Sequence, residues 1–143
     1  MAETKTKATN ASVADYLASC ANALQLSDCH QLIALLGDIT GEPATMWGPS
    51  IVGFDRYRYT YDSGHSGEAP LAGFAIRGRD IVIYLLAEGA GQQQLLQQLG
   101  KHKMGKACLY IKRLADLDIA VLKQLTVNSV AELQQRYGPA AGC

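Results

Sequence analysis

The chain has 143 residues, 13 basic and 13 acidic side chains, and 48% hydrophobic residues, enough for one domain with a sizeable core and too apolar for a disordered chain. Its longest apolar run, Ile81 to Ala87, falls far short of the ~20 residues of a membrane span. The zero net charge conceals a basic middle, with nine basic and four acidic side chains in residues 56–113 against two and six in residues 1–55. That surplus draws anions but is too modest for the many phosphate contacts of duplex DNA or RNA.

Residues 1–11 are polar and expected to form a disordered tail. Nothing in them resembles a signal peptide, which predicts a cytoplasmic protein with reduced cysteines. Val13, Tyr16, Leu17, Cys20 and Leu24 recur at three- and four-residue steps, predicting a helix over 12–24 capped by Ser12. Ser27 then caps a second helix, with Leu32, Ile33, Leu35 and Leu36 facing inward, that ends near Gly37 or Gly41. Pro43 blocks its continuation.

Met46 and Trp47 read as core, with Gly48 and Pro49 as a turn into a short apolar strand, Ile51 to Phe54. Alternation from Arg56 to Tyr61 predicts a half-buried strand, with Tyr57, Tyr59 and Tyr61 on one face and Arg56 and Arg58 on the other. A turn-rich loop, 62–68, leads to strands over 71–77 and 81–87, joined as a hairpin through Gly78, Arg79 and Asp80. A short helix carrying Leu95, Leu96 and Leu99 stops at Gly100, and a strand spans 107–113. Asp116 or Asp118 caps a helix with Ile119, Leu122 and Leu125 inward. Ser129 to Glu132 has the capping-box form, predicting a break near Asn128 and a last helix to Tyr137. Residues 138–143 form a loose tail.

The order α-α-β-β-β-α-β-α predicts a single-domain α+β sandwich over 12–137, a mainly antiparallel central sheet with N- and C-terminal helices packed on it. Cys20, Cys29, Cys108 and Cys143 lack the C-x-x-C spacing of zinc or redox sites. The first three read as buried small hydrophobes and Cys143 as a solvated thiol.

The chemistry-bearing stretch runs from Gly100 to Lys106. Lys101, Lys103 and Lys106 supply positive charge beside His102, and the backbone around Gly105 offers N–H donors. It is no P-loop, because Ala107 stands where Ser or Thr is required and a strand follows instead of a helix. Trp47 joins the candidate ligand-binding set as an aromatic wall, set against its core reading, and Tyr59 as one of a tyrosine stripe that reads as sheet core with hydroxyls able to reach a cavity edge. The leading expectation is a non-enzymatic domain binding an anionic small molecule or an acidic segment of a protein partner. A further alternative is an enzyme with His65 or His102 as general base, although no nucleophile with matching spacing accompanies either. No cofactor follows from the residues themselves.

The segments Met46 to Phe54, Pro70 to Phe74 and Leu99 to Leu114 together resemble the YdhG-like family of small bacterial domains. The resemblance covers roughly residues 12–137 and implies an α+β fold with a central sheet. Some members carry an iron-chaperone, frataxin-like label, so the resemblance also implies iron or other metal handling. Hard cations prefer clustered oxygen ligands. The first two predicted helices offer Asp15, Asp28 and Asp38, with Glu42 beyond, spaced too widely to be helical neighbours.

Overall fold

The computed structural model describes residues 9, 11–48, 50–60, 66–87, 89–105 and 108–137. Both predicted tails fall almost wholly outside these residues, as do Tyr61, His65, Lys106 and Cys143. The fold is α+β: the described residues form four helices and a six-stranded antiparallel sheet, with a separate two-stranded sheet.

Helix α1 (Val13–Cys20) starts where Ser12 accepts a hydrogen bond from the Asp15 N–H, 3.1 Å, as its spacing predicts. It ends four residues earlier than the periodicity suggests. Asn22 and Gln25 form a reciprocal capping box that starts α2 (Ala23–Thr40). The predicted cap Ser27 therefore lies inside α2, and Leu24 is solvent-exposed. Gly41, at φ +72°, ends α2 in the left-handed conformation expected of glycine.

Strands β1 (Ala44–Trp47) and β2 (Ile51–Phe54) form a hairpin, so Met46 and Trp47 belong to a strand where the sequence reading had placed none. Strands β3 (Tyr57–Thr60) and β4 (Ser66–Ala69) pair only with each other, as a separate two-stranded sheet. Then come β5 (Ala72–Arg77) and β6 (Asp80–Tyr84), joined through Gly78, whose φ of +62° suits the tight turn. Helix α3 (Ala90–Leu99), strands β7 (Lys103–Met104) and β8 (Cys108–Ile111), a single 3-10 turn (Leu114–Asp116) and helix α4 (Ile119–Tyr137) complete the chain. The main sheet has the order β1-β2-β5-β6-β8-β7.

One face of that sheet carries Met46, Val52, Phe54, Phe74, Ile76, Ile81, Ile83, Leu109 and Ile111, joined in one cluster by side chains from all four helices. The register sends the alternate residues, among them Trp47, Ala75, Val82, Tyr84, Tyr110 and Lys103, to the opposite face. Trp47 is buried there with its indole over Gly53, where a Cβ would fall 2.3 Å from the ring. Tyr57 packs against the main core and Arg56 is exposed, as their alternation predicts.

No break occurs near Asn128, because Ser129 has other work. Its buried hydroxyl accepts a hydrogen bond from the Leu86 N–H, 2.8 Å, tying the segment after β6 to an uninterrupted α4. Gln92 reinforces that join by donating to Leu86 O and Leu125 O. Asp118, and not Asp116, caps α4 by accepting from the Ala120 and Val121 N–H groups.

The deepest polar link joins α2 to the segment after β8. The Asp28 carboxylate is 1% exposed and accepts from Arg113 Nε at 2.7 Å and from the Leu114 N–H at 3.1 Å. Its backbone bond and guanidinium supply the partners a buried carboxylate requires.

The cysteines divide by environment. Cys29 is fully buried, Cys108 is half-buried, and Cys20 is exposed, contrary to its helical-face reading. Cys20 is the last residue of α1, whose buried residues are Tyr16 and Leu17. Burial, with a smaller contribution from the neighbouring Asp28 charge, pushes the Cys29 thiol up from 9.0 to about 12. Below pH 9.0 the thiol is neutral in both states and costs nothing. As pH rises from there toward 12 only the unfolded chain ionises freely, so stability is lost across that window. Alkylation of the native protein near pH 8 is expected to label Cys20 rapidly and Cys29 only on unfolding, read by peptide mass spectrometry. Equal labelling rates would contradict the buried placement.

Candidate functional site

Helix α3 ends at Leu99, and the chain then meets the 3-10 turn before α4. Gly100 forms a bridge with Leu117, while the Asp118 N–H donates to Leu99 O at 2.7 Å and the Lys101 N–H to Asp116 O at 3.3 Å. At φ +118° and ψ −154°, Gly100 occupies backbone space essentially reserved for glycine. A Cβ there would lie 2.2 Å from Asp116 O. The lysine-bearing segment is therefore anchored at its start and passes directly into the edge strand β7.

Period-two alternation then decides what β7 and β8 present. Met104 packs against the core, whereas Lys103 faces outward opposite Tyr110. The β6–β8 register sets Ile81 against Ile111, so the next residues, Asp80 and Lys112, meet as an ion pair. Asp80, Lys101, His102, Lys103, Tyr110, Ile111 and Lys112 line a groove of about 580 Å³ at this corner of the sheet.

Charge in the groove is unbalanced. Among the described lining residues Asp80 is the one carboxylate, and it is engaged by Lys112. Among the described residues, Lys101 and Lys103 make no ion pair. His102 Nδ1 lies 2.8 Å from Gly100 O. A carbonyl oxygen can only accept, so Nδ1 carries the proton and Nε2 is left to meet a ligand.

The structure thus brings together Lys101, His102 and Lys103, and adds Tyr110 and Lys112, which the sequence reading had treated only as strand residues. Gly105 is not a groove wall. Its N–H donates to Cys108 O at 2.8 Å within the β7–β8 hairpin, so that donor is engaged in the fold. Trp47 lies away from the groove, 2% exposed, with the Arg56 guanidinium 5.8 Å from its ring centre. Lys106 and the Tyr59 side chain lie outside the described structure, as does His65.

Asp28, one of the carboxylates weighed for metal binding, is committed to Arg113 and the Leu114 N–H. Among the described residues, no group of three or more His, Cys, Asp or Glu side chains comes together in a way that could hold a metal ion. No helix among them is long and apolar enough to cross a membrane. Comparison of the chain with models of known protein families, with curated proteins and with solved structures found no match in any of the three.

Proposed function

We propose that the chain binds an anionic small molecule in the groove between β6, β8 and the Lys101–Lys103 segment. One observation carries this reading: Lys101 and Lys103 line a single concavity with His102, and the only carboxylate among its described lining residues is held by Lys112. Two ammonium groups that make no ion pair among the described residues, on a segment fixed by backbone hydrogen bonds to the chain just before α4, give a phosphate or carboxylate a prepared positive site. His102 Nε2 can donate to a phosphate or carboxylate oxygen when the ring is protonated; in the neutral ring it can only accept, from a hydroxyl of the ligand. Binding requires no proton transfer or covalent step.

The test is calorimetric titration with inorganic pyrophosphate at low ionic strength. The double variant K101A/K103A is expected to bind roughly tenfold more weakly, about 1.4 kcal/mol. Asp80→Asn, which releases Lys112 and removes the opposing charge, is expected to bind several-fold more tightly. Affinity should fall as salt rises, because exposed charges are screened. Unchanged affinity in both variants would remove this groove as the site.

A further inference from the structure

The groove is larger than a simple oxyanion needs. Its volume of about 580 Å³ lies within the range of sites that enclose drug-sized or cofactor-sized ligands, roughly 300–1,000 Å³. One wall is neither charged nor part of the core: Tyr110 projects from β8 on the outward sheet face and is 37% exposed. Its register partner is Lys103, so an aromatic ring and an ammonium group sit side by side across two strands. Lys101 extends the positive border, Lys112 is paired with Asp80, and the aliphatic stems of all three lysines add apolar surface below their charged ends.

We infer that the ligand joins a planar aromatic group to its anion, at the size of a nucleoside monophosphate, with the ring against Tyr110 and the phosphate between Lys101, His102 and Lys103. The inference rests on the anion-binding reading and specifies its ligand class. An aromatic side chain on a rigid strand offers a stacking surface at little entropic cost, and such stacking tolerates any base. The basic segment beside it is anchored through Gly100 to Asp116 and Leu117, so the distance between the two subsites is set by the fold. The groove accommodates one such unit; its few cations match a mononucleotide better than a polynucleotide backbone.

Adenosine 5′-monophosphate and ribose 5-phosphate carry the same phosphate and differ by the base, so titrating both separates the subsites. The wild-type chain is expected to bind the nucleotide roughly tenfold more tightly. Tyr110→Ala should erase that advantage, bringing the two affinities together, and Tyr110→Phe should keep it. Equal wild-type affinities for the two compounds would overturn the aromatic subsite and leave the anion site standing. A nucleotide preference that survives in Tyr110→Ala would also overturn it. Binding of neither compound would overturn both readings together.

Discussion

Gly100→Ala is expected to lower the melting temperature by on the order of 10–15 °C, through a loss of about 4 kcal/mol. Two causes act at once. The φ/ψ pair of +118° and −154° strains any residue bearing a Cβ, and that Cβ would lie 2.2 Å from Asp116 O. The obstacle is backbone, so no side-chain rotation relieves it. Separating the strands of contact would break the bonds from Asp118 N–H to Leu99 O and from Lys101 N–H to Asp116 O. Gly105→Ala is the control, since its Cβ would meet Cys108 O at 3.5 Å and Tyr110 Cε1 at 3.7 Å, ordinary contacts. That variant should melt close to the wild type. Thermal unfolding followed by circular dichroism gives both values, and a Gly100→Ala melting temperature equal to that of Gly105→Ala would contradict the bridge.

Arg113→Met is expected to cost a further large fraction of stability, with melting lowered by on the order of 10 °C. The damage arises at Asp28, whose carboxylate is 1% exposed and would keep only the Leu114 N–H. An isolated buried charge of this kind is far more costly than the intact pair is favourable. The Arg113 side chain is 35% exposed, which places the expected loss at the lower end of the range for buried pairs. Asp28→Leu combined with Arg113→Met removes both charges and should recover part of the loss. Chemical denaturation compares the three proteins, and a double variant less stable than Arg113→Met alone would rule out the uncompensated charge as the cause.

Local signals explain what the sequence made readable. Ser12, Gly41 and Gly78 each act within four residues of themselves, through a cap, a left-handed stop and a tight turn. Strand alternation likewise predicted that Tyr57 faces the core and Arg56 the solvent. The Asn22-x-x-Gln25 capping box was equally local and would have ended α1 at the right place, but the apolar periodicity through Leu24 masked it. Ser129 misled for the opposite reason: its local context mimics a cap, while its partner Leu86 is 43 residues away.

The groove was half legible. A run of lysines and glycines marks a basic segment, yet Tyr110, Lys112 and Asp80 join it only through the pairing of β6, β7 and β8. Sequence distance hides that register. The Asp28–Arg113 pair spans 85 residues, but one half of it left a trace. Asp28 shares a helical stripe with Leu32 and Leu36, and a carboxylate on an apolar stripe demands a cation from elsewhere.

Strand β7 has a consequence for self-association. An edge strand is a template on which a foreign strand, or another copy of the same chain, can add. Here that edge offers only Lys103 and Met104, with Lys101 exposed beside them. A second molecule docking edge to edge in antiparallel fashion would bring its own lysines against these, and the like charges oppose the approach. The lysines at this edge thus also oppose growth of the sheet from molecule to molecule.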